Sequence, residues 1–372
     1  MSVLARVRPD LAAFRAYVSA RSSGLDAPIR LNANESPWSA DGESSGFNRY
    51  PEPQPAALRA HLAALYGVDA RRLWIGRGSD EAIDLLLRAF CRAGRDNIVT
   101  LTPTFGMYAI GAQLQGAQCR EIALDPSSDF ALDVERLLSQ TDADTKLVIV
   151  CSPNNPTGTL YHDALDFLAE RLAGRALLVV DEAYIEFAGV PSAAALMEHH
   201  DNIAVLRTLS KAHALAGARV GALIAREEIA AFVARIAAPY PLPSPCVDLA
   251  LAALEPRALD EARARVATLL GEKARVTNAL ARISCVDRTW PSAANFLLAR
   301  FDDARAAFDR ALAAGIVLRD VSAQPGLSGC LRITIGAPAE NERLLDALAD
   351  IDRARSPYIS RGADAADSRS AA

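Results

Sequence analysis

Lys211 follows the apolar run from Ile203 to Leu209, lies among small residues and has Arg219 eight positions further on. An amine enclosed by apolar groups and faced by a second cation is destabilised as an ammonium, and becomes a usable nucleophile toward carbonyl carbon. Thr208, Ser210 and Arg219 add hydroxyls and a rigid fork of donors, a set that suits a phosphate. The pairing points to an aldehyde that also carries a phosphate, and pyridoxal phosphate is the obvious one. The same stretch also reads as a lysine snorkelling off a loop beside an ordinary arginine ion pair, and the segment alone does not separate the two.

Other candidates fall where strands should end. Cys151-Ser152-Pro153-Asn154-Asn155-Pro156-Thr157-Gly158 is a rigid turn that aims an asparagine amide. Asp181-Glu182-Ala183-Tyr184 follows Leu177-Leu178-Val179-Val180, which places a carboxylate at the mouth of a sheet. Singly, an Asn-Pro turn is structural and a strand-end Asp is a helix cap; three such features at successive strand ends are harder to dismiss. Gly76-Arg77-Gly78-Ser79-Asp80 joins a brief strand to a helix start, where unpaired amides form a natural phosphate site, or where Ser79 or Asp80 serves as an N-cap. It lacks the third glycine of a dinucleotide fingerprint and the Gly-Lys-Ser/Thr of a P-loop. Arg319 and Arg332 lie in strand-like runs, where a guanidinium pair could clamp an anionic group or form surface salt bridges.

Together these residues make a working cofactor site. Lys211 would hold pyridoxal phosphate through its amine and, once released, move the substrate α-proton as general base and then acid. Asp181 would keep the pyridine nitrogen protonated, and Asn155 and Tyr184 would donate to the phenolic oxygen. The phosphate would rest on Gly78, Ser79, Asp80, Thr208, Ser210 and Arg219, with Phe105 stacked on the ring face.

The elements that must position these groups alternate regularly. Short apolar runs at Leu73 to Ile75, Ile98 to Leu101, Cys119 to Leu124, Leu147 to Cys151, Leu177 to Asp181 and Ile203 to Thr208 are separated by helical stretches such as Asp163 to Leu172. Continuous apolar strands between helices predict an α/β fold with a mostly parallel central sheet covered on both faces, and function at the carboxyl ends of its strands. A short helix is expected from Asp10 to Ser23, then a polar loop through Gly42, Ser44 and Ser45 to Arg49-Tyr50-Pro51. The proline-rich Pro239 to Pro245 should mark passage to a smaller α/β domain. That domain has a long helix from about Glu261 to Ile283 and strands Asn295 to Phe301, Ile316 to Asp320 and Leu331 to Ile335. The expected organisation is 1–47 as an N-terminal segment packing with the small domain, 48–245 as the large domain and 246–356 as the small one. Residues 357–372, rich in Ala, Asp and Ser, read as a disordered tail.

Composition narrows the class. Of 372 residues 51% are hydrophobic, and 45 acidic residues stand against 40 basic ones without a basic block, which disfavours nucleic-acid binding. No apolar run is long enough for a bilayer, and charge and Pro9 break the N-terminus before a signal core could form, so a cytoplasmic protein is expected. The six cysteines form no C-x-x-C pair, and the five histidines, His199-His200 among them, show no metal-ligand spacing and read as surface residues.

Asn-Asn-Pro-Thr-Gly at 154–158, Asp-Glu-Ala-Tyr at 181–184 and Ser-Lys-x-x-x-Leu-Ala-Gly-x-Arg at 210–219, in this order, resemble the fold-type I aminotransferases. Leu31-Asn32-Ala33-Asn34-Glu35, Arg49-Tyr50-Pro51, Pro103-Thr104-Phe105-Gly106-Met107-Tyr108, Ala238-Pro239-Tyr240-Pro241-Leu242 and Leu327-Ser328-Gly329-Cys330-Leu331-Arg332-Ile333-Thr334 narrow the similarity to the histidinol-phosphate aminotransferase family, from about Tyr17 to about Ala349. The resemblance implies transfer of an amino group between L-histidinol phosphate, with imidazole acetol phosphate as keto partner, and glutamate/2-oxoglutarate, in histidine biosynthesis. It implies a homodimer with shared active sites, in which Tyr50 reaches the cofactor phosphate of the neighbouring subunit. Tyr17, Asn155, Arg319 and Arg332 match its substrate-binding positions. Phe105 departs from the tyrosine common in that family, so stacking is kept and a hydroxyl is lost. Aromatic amino-acid aminotransferases and threonine-phosphate decarboxylases of the same fold would share Lys211, Asp181 and Arg219, and only the substrate pocket separates them.

Overall fold

The computed structural model describes residues 6–15, 17, 29–40 and 46–355. Among these, seven strands form one sheet: β1 (Leu73–Gly76), β2 (Asn97–Thr102), β3 (Gln118–Ala123), β4 (Thr145–Cys151), β5 (Leu177–Asp181), β6 (Ile203–Thr208) and β7 (Gly221–Ala225), in the order β1-β7-β6-β5-β4-β2-β3. Strands β3, β2, β4, β5 and β6 run parallel, while β7 is antiparallel to both β6 and β1. The expected parallel sheet is therefore present with one antiparallel member, β7, that the sequence reading did not separate from the loop before it. Its Gly-Ala-Leu-Ile-Ala run is short and weak in β-branched residues, and only pairing on two sides makes it a strand.

Helices cover both faces. On one side lie α2 (Ala56–Tyr66), α5 (Val134–Ser139), α6 (His162–Leu172) and α8 (Ser244–Ala253); on the other lie α3 (Ser79–Phe90), α4 (Met107–Gln115) and α7 (Glu227–Ile236). Successive strand residues point to opposite faces, so Val148, Val150, Leu178 and Val180 enter the first core while Leu147, Ile149, Leu177 and Val179 enter the second. That double burial is why these strands read as unbroken apolar runs. The helix expected from Asp10 to Ser23 is a short α1 (Pro9–Ala12); residues 16 and 18–23 lie outside the described residues, as do 41–45 of the polar loop and the tail from 356 onward.

The smaller sheet is antiparallel, in the order β10-β11-β9-β8, with β8 (Val286–Thr289), β9 (Phe296–Phe301), β10 (Arg319–Asp320) and β11 (Cys330–Thr334). Strand β8, polar at three of its four residues, was not anticipated, and the run expected from Ile316 to Asp320 pairs only at its last two residues. Helices α9 (Pro256–Leu280), α10 (Ala304–Ala313) and α11 (Pro338–Arg355) pack on one face through Val276, Leu280, Ala307, Ala311 and Leu348 against Leu297, Ala299 and Phe301. The opposite face turns toward the large sheet: Leu298 and Trp290 belong to the first large core, and Phe296 packs with Tyr184. Helix α8 begins within the Pro239–Pro245 stretch, at Ser244, and buries Val247 and Ala250 in that same large core.

Candidate active site

The parallel strands deliver their carboxyl ends to one edge. Cys151 pairs with Asp181, Asp181 pairs with Leu206, and Thr208 at the end of β6 pairs with Gly221 at the start of β7. A cavity of about 140 Å³ opens there. Ser79, Asp80, Phe105, Asn155, Asp181, Tyr184, Thr208, Ser210, Lys211 and Arg219 line it. Residues up to 140 positions apart in sequence are thus brought to one wall by strand order alone.

Lys211 lies in the connection between β6 and β7, with Nζ 5.7 Å from the centre of the Tyr184 ring. Burial, then the charges of Arg332 and Arg219, lower its pKa below the ordinary lysine value. Asp181 ends β5 fully enclosed, and burial pushes its carboxyl up to about 6 against the lowering effect of two donors. Those donors are the Tyr108 hydroxyl, 2.7 Å from Oδ2, and the Ala183 amide, 3.0 Å from Oδ1. Tyr184 is held edge-on to Phe296, and burial raises its phenol, so it remains a proton donor at neutral pH.

The anion end is built from backbone. Helix α3 has Gly78 (φ 82) as its N-cap with no side-chain cap, which leaves its first amides facing the cavity. A Cβ on Gly221 would sit 2.5 Å from Gly78 C and Ser79 N, so glycine is required for this approach. Thr208 donates its hydroxyl to Ser210 at 2.9 Å, and Arg219, itself in the left-handed region (φ 56), forms an ion pair with Asp80 at 2.9 Å. Asp80 therefore steers Arg219 with its carboxylate while its amide belongs to the helix start.

At the opposite rim, Arg332 in β11 donates to Asn155 Oδ1 and stacks over Phe296, and its buried Nε has no partner among the described residues. Register explains an arginine inside an apolar strand: Arg332 pairs with Leu298 of β9 and with Arg319 of β10, so it shares the face that looks toward the large sheet. Hydrogen bonding to Arg332 fixes the Asn155 amide with its nitrogen left for the cavity.

Tyr17 and Tyr50 are not brought to this cavity. Tyr17 is 73% exposed; Tyr50 is half exposed, stacks on Tyr240 at 4.5 Å and lines a separate depression with Glu35, Arg49 and Pro243. Of the histidines expected at the surface, His200 is partly covered and bonded to Asp166 at 2.7 Å, and His213 is buried. Sequence reasoning missed Tyr108 and Asn154. Asn154 is fully buried and braces the turn by donating to Pro103 O and Thr157 while accepting from Thr104.

An uncapped helix start beside hydroxyls and an arginine, a depressed lysine, a buried carboxylate and an unpartnered guanidinium NH at the rim together fit a phosphorylated aldehyde cofactor and an anionic substrate. The chain belongs to the aminotransferase class I and II family, whose family model matches residues 26–348. Within that class it is similar to histidinol-phosphate aminotransferases: 52% identical over 351 residues to that of Stenotrophomonas maltophilia, covering 93% of this chain and 96% of the relative. It is 51% identical over 352 residues to that of Xanthomonas campestris pv. campestris, covering 93% and 97%. Among solved structures, histidinol-phosphate aminotransferase from Sinorhizobium meliloti in complex with pyridoxal-5'-phosphate superposes with a TM-score of 0.74 at 26% identity, covering 83% of this chain and 84% of that one.

Proposed function

We propose that this chain transfers an amino group between L-histidinol phosphate, with imidazole acetol phosphate as the keto partner, and glutamate/2-oxoglutarate, as a step of histidine biosynthesis, with pyridoxal 5'-phosphate as cofactor. The observation that carries the reading is a lysine of lowered pKa and a buried carboxylate lining one cavity, with an arginine of unsatisfied bonding capacity at its rim. When bound, the cofactor supplies a carbonyl that condenses with amines and a ring that accepts the electron pair released at the substrate α-carbon.

The residues of the chain do the remainder. Lys211 would hold the cofactor through its amine and, once released, would take the substrate α-proton and return it, a role that its lowered pKa favours. Asp181 holds the proton on the ring nitrogen; a cation there favours the ionised carboxylate that burial alone opposes. Asn155 and Tyr184 donate to the phenolic oxygen, and Phe105 covers a ring face. Ser79, Asp80 and Gly78 through the α3 start, with Thr208, Ser210 and Arg219, hold the phosphate. Arg332 and Arg319 take the substrate phosphate in one half-reaction and a glutamate carboxylate in the other, since a guanidinium fork fits both.

The assembly we propose is a homodimer in the cytoplasm. Leu31, Trp38, Phe47, Tyr50 and Leu249 are large apolar side chains left exposed on the single chain, and Tyr50 lines a depression separate from the cavity. In the dimer Tyr50 reaches the neighbouring subunit's cofactor phosphate, and Tyr17 is assigned to substrate. No helix among the described residues is long and apolar enough to cross a membrane, and the six cysteines are free thiols, as a reducing compartment allows.

Turnover of histidinol phosphate, phenylalanine and threonine phosphate tests the substrate. Histidinol phosphate should have the highest kcat/KM, and preferential use of either competitor overturns the assignment. Arg332→Ala should weaken histidinol phosphate and glutamate together, each by roughly thirtyfold or more, the loss expected when one partner of an enclosed charge pair is truncated. A loss confined to one substrate would break the shared clamp.

A further inference from the structure

We propose that Tyr108 is a positioning residue for Asp181, fixing the plane of its carboxylate and favouring its ionised form where the cofactor ring nitrogen binds. Tyr108 is the second residue of α4 and has no exposure to solvent; its hydroxyl donates to Asp181 Oδ2 at 2.7 Å across 73 residues of sequence. The Ala183 amide donates to Oδ1 at 3.0 Å. Each carboxylate oxygen therefore receives one donor, and rotation of the carboxyl group breaks both bonds. A neutral acid would have to place its proton on an oxygen that already accepts a hydrogen bond, so the pair of donors favours the anion.

The other groups facing Asp181 act differently. Asp80 from α3 and the enclosure of the site favour the protonated acid, whereas Lys211 favours the anion. Cys151 from β4 and Tyr184 are driven by burial to stay neutral. Tyr108 is thus the side-chain hydrogen-bond donor that offsets burial at this carboxylate, and its own phenol is kept protonated by burial and by Asp181. Phe105 packs edge-on against the Tyr108 ring, 5.6 Å between centres, and lines the cavity. One short segment therefore carries both a wall of the ring site and the donor behind Asp181.

The inference rests on the pyridoxal phosphate reading, but its first test needs no cofactor. An infrared titration of the apoprotein follows the carboxyl band that Asp181→Asn removes. Tyr108→Phe keeps the ring and deletes the donor, and it should move the midpoint of that band upward. Pyridoxal phosphate binding, read by absorbance, should weaken roughly 10- to 100-fold in Tyr108→Phe, the range for a lost hydrogen bond to a charged group. In the Asp181→Asn background the same exchange should cost much less, because the charge that it served is gone. An unmoved midpoint, or an equal loss of affinity in both backgrounds, overturns the proposal. Wild-type apoprotein that fails to bind pyridoxal phosphate overturns the cofactor reading instead, and the titration still judges Tyr108. Should Tyr108→Phe fail to fold, wild-type apoprotein labelled with 13Cζ-tyrosine answers the same question: a buried tyrosine resonance should titrate with the Asp181 band, and the absence of one overturns the assignment.

Discussion

Asp181 illustrates how a site residue is held against its own preference. It is enclosed, and in the absence of a ring cation its carboxyl is raised to about 6 from an ordinary 3.8. A folded state that binds this proton more tightly than the unfolded chain is stabilised below the unfolded value, and loses that stabilisation as pH rises from about 4 through 6. The loss should approach roughly 3 kcal/mol for the apoprotein. Asp181→Asn should flatten the corresponding part of the apoprotein's stability-against-pH curve, checked by urea unfolding at pH 4 and pH 7; an unchanged slope would place the raised group elsewhere. Lys211→Ala should abolish turnover and leave borohydride unable to fix the cofactor to the chain, whereas a cofactor still fixed covalently would move the attachment point. The gathering of Lys211, Asp181, Asn155, Tyr184 and Arg219 around one cavity was legible because each follows a strand end in a stretch whose composition is informative by itself. Tyr108 was not legible: its neighbours Gly106 and Met107 say nothing of a carboxylate 73 residues away, and only the parallel placement of β2 and β5 around β4 makes the two meet.

At the level of elements, the segments buried on both faces were the easiest to read, because a parallel strand must be apolar throughout. Strand β7 and strand β8 were missed for opposite reasons. β7 is buried at every residue but built of Gly, Ala, Leu and Ile, which also suit a helix or a loop; β8 carries Asp287 and Arg288 exposed, so its apolar signal is too sparse. The start of β7 is where fold and chemistry meet most tightly. Gly221→Ala would drive a methyl into the Gly78–Ser79 backbone, which cannot swing aside as a flexible side chain would. Overpacking of this kind costs about 1–3 kcal/mol. The variant should show a lowered melting temperature and a larger loss of pyridoxal phosphate affinity than of fold, measured by differential scanning calorimetry and absorbance titration. Cofactor affinity within twofold of wild type would mean that the α3 start is not the phosphate site.

For the molecule as a whole, the two sheets share a core rather than merely touching. Alternate residues of β9 face opposite ways, Leu297 and Ala299 into the small helical layer and Leu298 into the core of the large sheet. Trp290 extends this contact, lying 5.3 Å from Phe130 and donating to Pro126 O. The proposed assembly can be tested by subunit mixing. Lys211→Ala and Tyr50→Ala chains, each of low activity alone, should regain about a quarter of wild-type activity when unfolded together and refolded in equal amounts. Half the dimers would then be hybrids, and each hybrid would have one site with Lys211 and the opposing Tyr50 intact. No recovery would confine Tyr50 to its own subunit.

Arg319 and Arg332 face each other across β10 and β11, and β10 is only two residues long. Like charges set opposite in an antiparallel pair push its strands apart. Their mutual repulsion opposes the pairing of the outermost ribbon of the small sheet, which few backbone bonds hold; under the proposed substrate clamp, a phosphate or carboxylate inserted between the two guanidiniums would turn the same pair from a wedge into a rivet. The arriving substrate would therefore mend the edge of the sheet that grips it, and the firmness of that edge would report whether the site is filled.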